Sequence, residues 1–558
     1  MRAWRTIAAA ALWAMVCVIP AQAETSAPRA EGSPDTLRVP MRDGTLLATD
    51  VYLPPDAPGP LPTILMRTPY NKSARWAPRM ARLYNAHGYA FVVQDTRGRF
   101  ASMGEDSLFL TDGVGPNEDG YDTIEWIVRQ PWSNGSVGMV GESATGITSY
   151  LAAATGHPAL KCAQVGYAVA SLYDDLTYPG GVYRQGAADS WVSEKEGAEA
   201  LALVYAHPMY DASWERVDLT RHAQDAHAAI YHWGGWFDAA NRGTISAFQC
   251  LQERGGEGAR GHQMLVMGPW SHGDIGRAQG ELVFPPNHAA VNPQEETIAW
   301  FDLSLKGIPN ALSNVPPVRY YLMGDVSDST APGNRWMSSS SWPPSEMRPV
   351  AYYLSAGGLL ATQPPTTRNP PTSYPYDPKN PVPTRGGSNL PREGTRGPYD
   401  QREIERRPDV LTFSTPPLEE PVAVAGNVRV RLWASSSARD TDFMAKLCDV
   451  YPDGRSMLIL DGAISARHRQ SCSREDFLVP GQVYEFEIDL WNTALVFNRG
   501  HRIRVEVTSS NAPRYYPNPN TATPFHSDSV GVIATNSIYH NAAHPSALIL
   551  PVIPWEGK

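Results

Sequence analysis

The 558-residue sequence predicts a mostly parallel, helix-covered sheet followed by an all-β domain. Three observations lead there. Between about 36 and 155, short apolar β-branched runs alternate with helical patterns, as in βα units built around a parallel sheet. Between about 171 and 224 the strand signal lapses into a stretch rich in Ala, Glu, Tyr and Trp, which suits a small helical insertion. Beyond about 345, short strands separated by turn residues suit a sandwich or jelly roll.

Taken in order, residues 1–23 combine a basic start, the uncharged run Thr6–Ile19 and the small-x-small end Ala21-Gln22-Ala23. That is the pattern of a secretory signal, and the run is shorter than the roughly 20 apolar residues a spanning helix needs. Export without stable membrane insertion is expected. Thr63–Met66 and Phe91–Gln94 read as buried strands, and Tyr121–Gln130 as a helix with Ile124, Ile127 and Val128 on its apolar face. Ala229–Trp233 and Gln263–Met267 resume the sheet on either side of a helical pattern at Ala240–Glu253. The plan is therefore a signal over 1–23, a first core segment over 24–170, a helical cap over 171–224, a second core segment over 225–344 and an all-β domain over 345–558. In the last, Val428–Trp433, Ser456–Leu460, Tyr484–Leu490 and Arg502–Thr508 are strands. Residues 361–398, rich in Pro, Thr, Asn and Gly, are either an ordered extended loop or a linker.

Lys+Arg total 47 against 57 Asp+Glu, a net charge of −10 with no long basic run, so no nucleic-acid partner is expected. Of the 5 cysteines, Cys162, Cys250, Cys448 and Cys472 lie beyond the signal. So low a density is not a disulfide-built scaffold, and chain order favours Cys448 with Cys472 if any pair forms. His222, His227 and His232 recur every five residues, which does not keep them on one helical face; they read as surface and loop histidines. Asp440, Asp442, Asp449 and Asp453 read as turn and cap residues rather than a calcium cluster. No metal and no cofactor are expected.

Three motifs carry chemistry. Gly141-Glu142-Ser143-Ala144-Thr145-Gly146 joins a strand to the helical run Ile147–Ala154. A serine in so sharp a turn, flanked by glycines that remove clashing side chains, is presented at the sheet edge above a helix N-terminus. Gly234-Gly235-Trp236-Phe237-Asp238 places a carboxylate after a strand, where it can orient an imidazole. Gly268-Pro269-Trp270-Ser271-His272-Gly273 supplies the imidazole, again after a strand. Taken singly, each has a plainer reading: a Ser/Gly turn, a helix cap at Asp238 and a solvated loop histidine. Together they run Ser, Asp, His, the chain order of an α/β-hydrolase triad. Oxyanion donors are then expected at the backbone N–H of Ala144 and at Tyr70, in the loop after Thr63–Met66. Trp191, Trp236, Phe237 and Ala240 are expected at the substrate pocket.

These motifs, with Arg-Thr-Pro-Tyr-Asn-Lys at 67–72 and Gln-Asp-Thr-Arg-Gly-Arg at 94–99, resemble the CocE/NonD hydrolases, relatives of cocaine esterase, glutaryl-7-aminocephalosporanic acid acylase, α-amino acid ester hydrolases and S15 X-Pro dipeptidyl-peptidases. The resemblance continues through Tyr-Pro-Tyr-Asp-Pro at 374–378, Arg-Pro-Asp-Val-Leu at 407–411, Asp-Thr-Asp-Phe at 440–443, Asp-Val-Tyr-Pro-Asp-Gly at 449–454 and Asn-Arg-Gly-His-Arg-Ile-Arg at 498–504. It implies an α/β-hydrolase core, a helical cap after the nucleophile's helix and a C-terminal jelly roll. It also implies Ser143 as nucleophile, His272 as base, Asp238 as its partner, and Tyr70 with Ala144 as oxyanion hole, acting on a small-molecule ester or amide. Two departures matter. Ala144 stands where many relatives have Tyr, and Asp238 is followed by Ala239, Ala240 and Asn241, whereas α-amino acid ester hydrolases place acidic residues there to hold an ammonium. X-Pro dipeptidyl-peptidase or aminoacyl-ester activity is the alternative, for which Asp174, Asp175 or Glu142 would have to serve. A carbohydrate-binding role for the jelly roll, through Trp491, Tyr515 and Tyr516, is the alternative of another class.

Overall fold

The computed structural model describes residues 33–55, 59–527 and 530–555. The expected signal segment lies outside the described residues. Ten strands form the first sheet: β1 (Asp35–Pro40), β2 (Leu46–Tyr52), β3 (Leu61–Thr68), β4 (Ala90–Asp95), β5 (Ser133–Glu142), β6 (Leu160–Gly166), β7 (Ala229–Phe237), β8 (Met264–Ser271), β9 (Val318–Leu322) and β10 (Arg335–Ser339). They are ordered β1-β2-β4-β3-β5-β6-β7-β8-β9-β10. From β4 to β9 every neighbouring pair is parallel, and antiparallel strands close both edges. Parallel strands need crossovers that cover both faces, so β3, β4 and β8 are buried at every position. That is why their sequences read as unbroken apolar runs.

Helices α1 (Ala77–Ala86), α2 (Asp119–Val128) and α3 (Ala144–Ala154) make the first crossovers. Helix α3 is buried at all eleven positions, sandwiched between the sheet and the insertion that follows β6. That insertion consists of short helical pieces among Tyr173–Asp225, two of them π-helical turns, at Tyr173–Thr177 and Ala188–Glu196. Its aromatic content is packing material: Tyr173, Tyr178 and Trp214 pack at centroid distances of 5.1 to 6.2 Å.

From Arg348 the chain is all-β, a sheet system of twelve strands. Its spine is Val422–Ser436, which pairs with Tyr484–Phe497, Ala534–Asn541 and Ala547–Val552. Val430, Leu432, Phe443, Leu447, Phe486, Ile488 and Val505 form its interior. Trp342 stacks on Trp236 at 5.4 Å and donates through Nε1 to Asn492 Oδ1 at 3.0 Å, and Asn241 Nδ2 donates to the Asn492 carbonyl at 3.0 Å, tying this domain to the end of β7. The Pro-rich stretch 361–398 is an ordered, packed segment rather than a linker. Thr372–Tyr376 pairs with Ala534–Asn541, and Gly387 and Gly397 bridge to each other.

Three expectations are corrected. Cys448 and Cys472 are both free: Cys448 is buried in the middle of a strand, its thiol on Glu506, whereas the Cys472 carbonyl accepts from Tyr210 N in the cap. His232 is not a surface residue. It lies on β7, fully buried, with Nδ1 accepting from the Tyr150 hydroxyl at 2.7 Å and Nε2 donating to Gln263 Oε1 at 3.0 Å. Nor are the Trp491 and Tyr515 rings displayed for a polymer, being 3% and 1% exposed.

Burial without a counter-ion lowers the His232 pKa from 6.5 to about 3. The unfolded chain therefore binds the extra proton first, and stability present above pH 6.5 is lost as pH falls toward about 3. His232→Gln is expected to flatten the decline of Tm between pH 6.5 and 4, read by scanning fluorimetry; an unchanged slope would remove His232 as its source.

Candidate active site

The turn from β5 into α3 is built around Ser143, whose backbone sits at φ 56°, ψ −125°. A side-chain-bearing residue in that region costs about 1–3 kcal/mol and persists only where its surroundings enforce it. Here Ser143 N donates to the Gly166 carbonyl at 2.9 Å, and the Ser143 carbonyl accepts from Gly146 N and Ile147 N. Close approach explains the flanking glycines. A Cβ on Gly141 would fall 2.1 Å from the Thr145 carbonyl oxygen, and one on Gly146 would fall 2.7 Å from Ala168 Cβ. Ala144 N–H is in the first turn of α3 and so has no intrahelical acceptor.

The other two residues follow the next strands but one and two along the sheet. Asp238, after β7, is fully buried; its Oδ1 accepts from Ala240 N at 3.0 Å and from His272 Nδ1 at 2.7 Å. His272, after β8, has Nε2 at 3.0 Å from Ser143 Oγ. Three side chains from three strand ends thus make one hydrogen-bonded line. In that line Asp238 fixes the tautomer that leaves Nε2 facing the hydroxyl.

Tyr70 is placed by the segment after β3. Tyr70 N donates to Thr68 Oγ1 at 2.9 Å, and the neighbouring Lys72 is anchored through N to Asp95 at 2.6 Å and through Nζ to Asp50 at 2.7 Å. Arg67 Nε reaches Gln94 at 2.7 Å, so the 67–72 and 94–99 motifs hold each other across β3 and β4. The Tyr70 hydroxyl accepts from Trp191 Nε1 at 3.0 Å. Trp191 is in turn stacked on Phe109 at 6.3 Å, a contact worth about 0.5–1.5 kcal/mol beyond burial.

Tyr70, Ser143, His272, Trp191 and Ala240 all line one cavity of about 270 Å³. Trp236 and Phe237 do not. Both are buried away from it, with Trp236 Nε1 donating to the Tyr321 carbonyl at 2.7 Å and Phe237 packed near Phe284. Adjacency to Asp238 suggested a pocket role, but a parallel strand covered on both faces turns its last residues into packing. The remaining wall comes from residues not singled out for the pocket in the sequence: Ile147, Val169, Leu176, Ser190 and Ala239, Tyr167 beside His272, and Leu390, Pro391 and Arg392 from the Pro-rich segment. The Tyr167 ring lies 5.6 Å from that of His272, and burial pushes its hydroxyl pKa well above 10. Among the described residues lining the cavity none is Asp or Glu.

Comparison with known proteins gives a consistent picture. Residues 43–203 and 193–274 match the X-Pro dipeptidyl-peptidase (S15 family) profile, and residues 310–549 match the X-Pro dipeptidyl-peptidase C-terminal non-catalytic domain. The chain is similar to the cocaine esterase of Rhodococcus sp. (strain MB1 Bresler), with 35% identity over 92% of this chain and 97% of that protein. A putative serine esterase of Mycobacterium bovis is 27% identical over 92% of this chain and 94% of its own. Among solved structures, an aminopeptidase from a marine sediment archaeon (Thaumarchaeota archaeon) superposes with a TM-score of 0.81 at 27% identity, over 95% of this chain and 98% of that one. An α-amino acid ester hydrolase superposes at 0.79 with 29% identity, over 96% and 100%.

Proposed function

As the chain belongs to the CocE/NonD family of serine hydrolases, we propose that it cleaves esters of neutral, apolar acyl groups through Ser143, His272 and Asp238. His272 takes the Ser143 proton as the hydroxyl attacks the carbonyl carbon, and Asp238 stabilises the imidazolium. The oxyanion is received by the Tyr70 hydroxyl and Ala144 N–H. His272 returns the proton to the leaving alkoxide; water, deprotonated by the same imidazole, then attacks the acyl carbon, and the imidazolium gives that proton to the departing Ser143 Oγ as the acid is released. The observation that carries the reading is the unbroken line Asp238–His272–Ser143 opening into a cavity with Tyr70 on its wall.

The acyl preference follows from the cavity's chemistry. Holding an α-ammonium group out of bulk water requires a paired negative charge. The carboxylates considered for that role are engaged elsewhere. Asp175 accepts from Ala170 N and Ser171 N and is paired with Arg242 at 2.9 Å. Glu142 accepts from Gln294, and burial raises its pKa. Asp174 is not among the cavity's lining residues. We therefore favour ester hydrolysis over aminoacyl-ester or X-Pro dipeptidyl-peptidase activity. With p-nitrophenyl butyrate beside p-nitrophenyl alaninate at pH 7, kcat/KM is expected to favour the butyrate by at least about tenfold, the scale of one uncompensated charge. A preference for the alaninate would restore the aminoacyl reading.

The proposal includes a cap over 171–224 between core segments 24–170 and 225–344, a C-terminal domain over 345–558, and export. Export is supported by the basic, apolar and small-residue pattern of 1–23. No helix among the described residues is long and apolar enough to cross a membrane.

A further inference from the structure

The segment 387–397, a strap closed at its base by the reciprocal Gly387–Gly397 backbone pair, does more than lend Leu390, Pro391 and Arg392 to the cavity wall. It is tied to the backbone at the reacting line at two points, one direct and one through Arg184 of the cap. Arg396 Nη1 donates to the His272 carbonyl at 2.7 Å. On the other side, Glu393 is clasped by Arg184 of the cap, through Nε to Oε1 at 3.0 Å and through Nη2 to Oε2 at 2.9 Å, with both side chains 0% exposed. The same guanidinium donates through Nη1 to the carbonyl of Ala239, the residue after Asp238, at 3.1 Å, and through Nη2 to the Ser388 carbonyl at 2.8 Å.

A rigid fork of donors is suited to this arrangement, because one planar group fixes three separate chain segments relative to one another. Breaking one side of a buried ion pair strands the other charge, so the clasp has no low-energy half-open form. Gly186 permits the approach: a Cβ there would fall 2.9 Å from Glu393 Cγ. Leu390 N also donates to Glu393, which locks the strap's turn onto the carboxylate.

We propose that Arg184, Glu393 and Arg396 form a two-point clamp through which the strap holds Asp238 and His272 in reacting geometry, so that the cavity wall and the catalytic line are set by one device. They are positioning residues, acting through Ala239 and the His272 backbone. The inference rests on the triad reading proposed above.

The test uses the full chain carrying Arg184→Lys, Glu393→Gln or Arg396→Gln, with active sites counted by exhaustive reaction with a fluorophosphonate and turnover of p-nitrophenyl butyrate expressed per reactive site. Arg184→Lys keeps the charge and removes the fork. The clamp predicts a per-site kcat lowered about 10- to 100-fold with KM within about twofold of wild type, since misplacement by about 1 Å costs on that scale. A purely structural role would lower the number of reactive sites and leave per-site kcat alone; that result, or a change confined to KM, would overturn the clamp. Should Arg184→Lys fail to fold, the half-buried Arg396 decides the matter through Arg396→Gln. A wild-type protein that takes up no phosphonate would remove the hydrolase reading itself, a failure distinct from that of the clamp.

Discussion

Replacing Ser143 by Ala is expected to lower kcat for p-nitrophenyl butyrate on the order of 10⁶-fold, the loss that removal of a triad nucleophile brings in enzymes where the three residues act as a unit. The expectation comes from geometry. Ser143 Oγ is 3.0 Å from His272 Nε2, and His272 Nδ1 is held by Asp238. Folding should be little affected, because the strained backbone at φ 56° is imposed by Gly166, Gly146 and Ile147 and not by the hydroxyl. A folded Ser143→Ala protein turning over within tenfold of wild type would mean that the acyl group is never carried on this residue.

Tyr70→Phe is expected to lower kcat by roughly 10²–10³, the cost of deleting one oxyanion donor, with KM little changed because the interaction strengthens only as charge develops. Its ring would remain in place, since the backbone is held by Thr68 and Lys72. What is lost is the donated proton, together with the acceptor for Trp191 Nε1. Trp191→Phe separates the two effects: it removes the indole donor and leaves the phenol, and its loss should be smaller. Equal losses in both variants would mean that Tyr70 acts by packing against Trp191.

The hydrogen-bonded line Ser143–His272–Asp238 was legible because each of its residues follows a strand, and fully buried parallel strands announce themselves as apolar runs. The turn glycines around Ser143 were legible for a reason the structure makes quantitative, the 2.1 Å and 2.7 Å approaches at Gly141 and Gly146. Helical spacing does not apply to His232, which lies on a strand between Tyr150 and Phe248, and local sequence does not show that a second domain packs on Trp236 and Phe237. The strap was invisible for a different reason. Its Pro-rich composition is shared by linkers, and its place depends on Arg184, which lies 209 residues before Glu393 in the chain. Cys448 and Cys472 are near in sequence, but one ends inside the C-terminal sheet and the other against the cap. Ala239, Ala240 and Asn241 after Asp238 already pointed to a cavity short of carboxylates; that Asp175 and Glu142 are engaged elsewhere was not legible.

The central claim is that Ser143 is an activated nucleophile facing an open cavity, and a fluorophosphonate tests it most directly. Wild type and Ser143→Ala would be treated side by side, digested and mapped by mass spectrometry. The geometry predicts a single adduct on the peptide containing Ser143, absent from the variant. A folded wild-type protein without that adduct, or an adduct that survives in Ser143→Ala, would contradict the account.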